Sequence, residues 1–246
     1  MFRINLPLPH SGKSRVMTEL PVLCFFAHPD DETLAAGGTI ARFAPDVDFA
    51  FAVPVTGIAG RVPLYFSDIE NELTDDMHGR INALRRDCET ALVKLGAQDS
   101  LLFFGGFPDN RMDDVPLLDL VHWLEIVLDE VQPRTILTHS PRCLNIDHRR
   151  CYEAVMVATR QSDITVLSGE VPGSTSVLEA WKPNLYVKLA QEHVNRKIAA
   201  MQAYQSEKRE SPHPRSPTML EALARVRGAE CGSEFAEAFR IERWIW

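Results

Sequence analysis

Short, unbroken apolar runs alternate along this chain with segments of helical periodicity, and that alternation restricts the fold more than any other feature. Val22-Leu23-Cys24-Phe25-Phe26, Phe49 to Val55, Leu101 to Phe104 and Thr135 to Thr138 are runs of strand length. Continuous rather than alternating apolar sequence is what strands buried on both faces show. Between these runs, Ile81, Leu84, Cys88, Ala91, Leu92 and Leu95 share one face of a helix expected over 79–95, with Gly96 closing it. Leu117, Val121, Leu124 and Leu128 do the same over 116–131, where Pro116 suits the first turn and Pro133 lies just past the end. Helices are also expected over 148–160, 191–206 and 218–227. Strands that alternate with helices pair in parallel, so the chain reads as a layered α/β domain. Pro54 is expected to end the second run or to place it at a sheet edge. Ile164 to Leu167, Val177-Leu178 and Leu185 to Leu189 read as shorter strands that form a small cap near the rim.

Chemistry-bearing residues gather where two of these strands end. The first run leads straight into Ala27-His28-Pro29-Asp30-Asp31-Glu32, and a helix is expected from Thr33 to Phe43. In open α/β sheets, ligands bind just outside the carboxyl ends of strands. One of Asp30 and Asp31 can ligate a metal beside His28 while the other stays free as a base; the plainer alternative is that both cap the helix. The run at Thr135 ends in His139 and is followed by Asn145-Ile146-Asp147-His148. If the two strands are neighbours, both clusters converge, and three protein ligands with an open position is the pattern of catalytic zinc. Asp147 would orient a ligand or cap the next helix. Cys143 lies in the same loop, and Arg61 and Asp109 follow strands toward the same rim. There a carboxylate suits sugar hydroxyls and an arginine suits a phosphate or hydroxyl.

These stretches resemble the PIG-L/LmbE family of zinc-dependent de-N-acetylases. Ala27 to Glu32 matches its Ala-His-Pro-Asp-Asp-Glu motif, and Asp147-His148 its downstream Asp-His. Weaker matches are Thr56 to Arg61, Arg85 with Glu89 and Leu95-Gly96, Phe107-Pro108-Asp109 and Ala236 to Phe239, so the likeness runs over roughly residues 20–243. It implies a Rossmann-like three-layer fold with a mostly parallel sheet and a small C-terminal cap region. By position it implies His28, Asp31 and His148 as ligands of one Zn2+ per chain, with Fe2+ or another divalent ion as the alternative, and Asp30 as general base. Glu32 would orient His28 or a neighbouring loop. The family's usual histidine three residues before the ligand His is Asn145 here, so Asn145, His139 or the metal would hold the developing negative charge. The implied reaction is removal of an N-acetyl group from an amino-sugar or glycoconjugate substrate. A metal- or carbohydrate-binding protein without turnover, and a non-haem iron oxygenase built on two His and one carboxylate, are the alternatives.

Composition bounds the rest. With 246 residues and 45% hydrophobic content, one domain over 1–246 suffices, with 1–19 as an N-terminal extension. A formal charge of −8 argues against nucleic acid or an anionic membrane as partner. The five cysteines lack framework spacing, which points to a reducing compartment. The start lacks a charged-then-apolar leader, and apolar stretches fall short of the ~20 residues of a membrane span. A cytoplasmic protein is expected.

Overall fold

The computed structural model describes residues 21–55, 75–174 and 181–244. Along these, β1 (Val22–Phe25) leads to α1 (Asp31–Phe43), β2 (Phe49–Val55), α2 (Asp75–Leu95), β3 (Leu101–Phe107) and α3 (Leu117–Val131). The second half runs β4 (Thr135–His139), α4 (Ile146–Ala158), β5 (Thr165–Gly169), β6 (Leu185–Leu189), α5 (Gln191–Met201), α6 (Pro217–Glu230) and β7 (Phe235–Arg243). All seven strands lie in one sheet of order β3-β2-β1-β4-β5-β7-β6. The first five run parallel, and β7 is antiparallel to both β5 and β6. Chain direction across the sheet reverses between β1 and β4. That is the switch point at which the strand ends open a crevice.

Successive residues of β1 face opposite ways and build two cores. Cys24 and Phe26 pack with Leu34, Ile40, Cys88 and Leu92 of α1 and α2. Leu23 and Phe25 pack with Trp123, Leu124, Cys151 and Val155 of α3 and α4. The result is the expected three-layer, mostly parallel α/β fold. Among the described residues, no helix is long and apolar enough to cross a membrane.

Several expectations change in detail. The segments read as a cap enter the main sheet instead: β5 extends its parallel part, and β6 joins it through β7. Val177-Leu178 lies outside the described residues. Pro54 marks no edge, because β2 is paired on both sides. It sits where the β2–β3 register shifts between Val53 and Val55. Gly105 makes the room, since a Cβ there would lie 2.3 Å from the Pro54 carbonyl oxygen. β7 was not foreseen as a strand. Its Glu237 reaches α1, where its carboxylate accepts the N–H groups of Gly38 at 2.8 Å and Thr39 at 2.6 Å. Lys197 of α5 completes this buried group, 2.6 Å from Glu237. The pair ties α1, and so the turn that starts it, to β7 and α5.

Candidate metal centre

The turn after β1 positions three side chains by local geometry. Asp30 takes φ 115° and ψ −28°, a conformation that residues with a Cβ seldom adopt. Its side chain makes no capping bond to α1, so the capping alternative does not describe it. Asp31 turns back, and its Oδ2 accepts the His28 N–H at 3.0 Å. On the neighbouring strand end, Asn145 caps α4 by accepting the Asp147 N–H at 2.8 Å, which sets Asp147 and His148 in the first turn.

The two strand ends converge. His28 Nδ1 lies 3.0 Å from Asp31 Oδ2, His148 Nε2 lies 3.1 Å from the same oxygen, and the two ring nitrogens are 3.2 Å apart. Three donor atoms therefore form a nearly equilateral triangle. Bonds of ~2.0–2.1 Å in a tetrahedral zinc site place ligand atoms roughly 3.3 Å apart, so the triangle fits such an ion with little adjustment.

The outward nitrogens are also engaged. His28 Nε2 meets Asp147 Oδ2 at 2.9 Å and Asp109 Oδ1 at 3.2 Å. Asp147 is itself held by the N–H groups of Asn110 at 2.6 Å and Met112 at 3.1 Å. His148 Nδ1 meets Cys143 Sγ at 3.0 Å, and that thiol donates to the Ser174 carbonyl at 3.2 Å. Partners of this kind select the tautomer and ring orientation that point a lone pair at a metal.

Electrostatics reinforce the triangle. Burial resists a charge on His28, yet Asp109, Asp147 and Asp31 raise its pKa well above the ordinary imidazole value. Burial likewise opposes charge on His148, and Asp31 overcomes it, raising that ring to about 9. Burial pushes Asp31 up, but His148 holds it well below the usual carboxylate range. The site is thus built to stabilise positive charge between these three side chains. A divalent cation meets that requirement in place of the protons.

The other expected residues take distinct places. Asp30 is buried, its Oδ2 2.7 Å from an Arg215 guanidinium nitrogen. Burial pushes its carboxyl well up, and Arg215 works against that shift. Glu32 turns away from the triangle to accept from Tyr204 at 2.6 Å and Thr33 at 2.7 Å, and from the Asp30 N–H at 3.1 Å. It holds the turn and Tyr204, not His28. His139 is fully buried beneath the site, stacked on the His148 ring at 3.8 Å, with its Nε2 accepting the Ala27 N–H at 2.8 Å. Burial and His148 keep its pKa well below normal, which favours the neutral ring that stacks on His148. Asn145 gives one amide hydrogen to Asn110 Oδ1 at 3.2 Å. Asp109 lies against His28 instead of standing out at the rim. Arg61 lies outside the described residues. The sequence reading missed Arg215 and Glu207, which a loop between α5 and α6 brings to Asp30. Nothing local in the sequence marks them.

A family model described as GlcNAc-PI de-N-acetylase, PIG-L, matches residues 23–159, more than half of the chain. The 1D-myo-inositol 2-acetamido-2-deoxy-alpha-D-glucopyranoside deacetylase of Mycobacteroides abscessus is 31% identical over 141 residues, covering 51% of this chain and 49% of that enzyme. The chain spans about half the length of this relative and of its mycobacterial counterparts. Among solved structures, the N,N'-diacetylchitobiose deacetylase of Pyrococcus horikoshii superposes with a TM-score of 0.71 at 19% identity, over 90% of this chain and 83% of that one. GalB, the 4-carboxy-2-hydroxymuconate hydratase of Pseudomonas putida, superposes with a TM-score of 0.66 at 20% identity, over 91% and 96%. Likeness at these identities is a likeness of fold.

Proposed function

The chain belongs to the PIG-L family of de-N-acetylases, and from that premise we propose that it hydrolyses the N-acetyl group of a small amino-sugar or glycoconjugate, releasing acetate and a free amine. The observation that carries this reading is the triangle of His28 Nδ1, Asp31 Oδ2 and His148 Nε2, with spacings of 3.0–3.2 Å. These residues would hold one divalent ion, zinc first and Fe2+ as the alternative. When bound, it supplies Lewis-acid polarisation of the acetyl carbonyl and acidifies water.

The chain's own groups do the rest. Asp30, with one oxygen tied to Arg215, keeps the other to take a proton from the attacking water. The water oxygen bonds to the acetyl carbon, the carbon–nitrogen bond breaks, and Asp30 returns the proton to the departing amine. Asp147 and Asp109 hold His28, and His139 supports the His148 ring from behind. Asn145 has a second amide hydrogen beyond the one it gives to Asn110, and we assign it to the developing negative charge. Arg61 remains the candidate for a substrate phosphate or hydroxyl. The described contacts of Asp109 support a role in orienting His28 beside the sugar-binding role its position implied. The five unpaired cysteines support a reducing, cytoplasmic location.

Two measurements on purified protein test this. Metal content by mass spectrometry is expected at about one divalent ion per chain in wild type and none in Asp31→Ala. Acetate release is expected from N-acetylglucosamine glycosides. A wild type that stays metal-free in excess zinc and iron would refute the reading. A metal-loaded enzyme that releases no acetate but hydrates an unsaturated carboxylic acid would favour the chemistry named for the Pseudomonas putida neighbour.

A further inference from the structure

The loop between α5 and α6 grips Asp30 from two directions. An Arg215 guanidinium nitrogen lies 2.7 Å from Asp30 Oδ2 and 2.6 Å from Glu207 Oε2. Both carboxylates are buried, whereas the arginine side chain is 25% exposed. From the start of the same segment, the Tyr204 hydroxyl donates to Glu32 Oε1 at 2.6 Å, and Glu32 Oε2 accepts the Asp30 N–H at 3.1 Å. The Asp30 side chain is therefore held directly by Arg215, and its backbone N–H by Glu32, which Tyr204 holds in turn. Asp30 has a conformation that needs holding, since φ 115° persists in a non-glycine residue only where its surroundings over-determine it.

The loop is built to present the arginine. Pro212, Pro214 and Pro217 restrict its backbone, and the Arg215 N–H donates to His213 Nδ1 at 3.2 Å. The Ser216 N–H reaches the His213 carbonyl at 2.9 Å, and the fully buried Ser216 then caps α6. This Pro-rich stretch thus places its arginine against the turn that carries Asp30.

We propose that Arg215 is the positioning residue for Asp30, anchored from its other side by Glu207. This rests on the reading of Asp30 as general base. With Oδ2 fixed on the guanidinium, the carboxylate cannot rotate freely, and Oδ1 is the oxygen presented to water. The planar, forked guanidinium reaches two carboxylates at once, and a lysine ammonium does so poorly. Two buried carboxylates already share its charge, so Arg215 is not arranged as a binding group for a substrate anion.

The test is a double-mutant cycle in the metal-loaded enzyme, with acetate release from N-acetylglucosamine glycosides and metal content measured in each variant. Arg215→Ala is expected to lower kcat about 100-fold, with KM near the wild-type value and a full complement of metal. Arg215→Lys should recover part of the loss, and added guanidinium ion should restore part of it in Arg215→Ala. In an Asp30→Asn background, removing Arg215 should cost nothing more. A rise in KM with kcat unchanged would make Arg215 a substrate-binding group, and additive losses in the double variant would show that it does not act through Asp30; either overturns the proposal. If wild type releases no acetate, the activity fails separately, and crystals of Arg215→Ala still decide: Asp30 should leave φ 115° or turn its carboxylate, and an unmoved Asp30 overturns the clasp.

Discussion

Raising the pH should weaken the metal-free protein and strengthen its hold on metal within the same window. His148 has its pKa raised from 6.5 to about 9, because Asp31 outweighs the burial that opposes its charge. A folded-state pKa above the unfolded value adds stability that is fully present below the unfolded pKa and is lost as pH rises through the folded one. The shift corresponds to on the order of 3 kcal/mol at 1.36 kcal/mol per unit. For a chain of this size that is roughly 6–12 °C in melting temperature. Chelator-treated protein should therefore melt progressively lower between about pH 6.5 and 9.5, and the difference from His148→Gln isolates this ring. Metal must displace the same proton, so the affinity for zinc should rise about tenfold per pH unit below the pKa of His148. His28, raised in the same direction by its three carboxylates, adds a second proton. Calorimetric titration with zinc in buffers of different ionisation enthalpy counts the protons released, and more than one is expected near pH 7. No proton release, together with a melting temperature flat across the window, would mean that the rings are neutral before metal arrives. The electrostatic account of the triangle would then fail.

Further substitutions probe separate parts of the structure. Asp30→Asn should retain metal and lower turnover by roughly 10²–10⁴-fold, as loss of a general base does; unchanged turnover in steady-state kinetics removes Asp30 from the mechanism. Cys143→Ala removes the partner of His148 Nδ1 at 3.0 Å and should weaken metal binding roughly 10–100-fold in a chelator competition, with little change in the folded melting curve of the metal-free protein. Gly105→Ala should destabilise by about 2–3 kcal/mol in urea titration, because its methyl group would meet the Pro54 carbonyl at 2.3 Å, whereas Gly106→Ala, with open space around it, should stay within about 1 kcal/mol of wild type.

The parts of the site that were legible in sequence are those set by local rules. His28 and Asp31 follow a strand whose apolar run is unmistakable, and His148 opens a periodic helix, so their delivery to strand ends could be read directly. That the two ends meet depends on β1 and β4 being neighbours, which the alternation of strands and helices only implies. β7 was hidden because Phe235-Ala236-Glu237-Ala238-Phe239-Arg240 is rich in residues that favour helices. Its extended form comes from pairing with β5 and β6, a tertiary effect that overrides propensity. Arg215 was hidden for a related reason. Its partner Asp30 is 185 positions away, and the loop that carries it has only the composition of a turn.

The fold itself does not choose the chemistry, since a deacetylase and a hydratase both superpose on this chain at similar distance. A metal triangle does not choose either, because acidified water serves both reactions. What discriminates is the proton path after water has attacked. Amide cleavage needs a base that gives its proton back to a departing nitrogen, so the base must be held close, oriented and shielded from bulk water. Asp30 meets those conditions here: it is buried, strained in its backbone, and fixed by Arg215 on one oxygen and Glu32 on its N–H. Hydration of a double bond instead needs a proton delivered to carbon, with no nitrogen departing. An oriented carboxylate that takes a proton and gives it back is what the proposed amide hydrolysis would ask of Asp30.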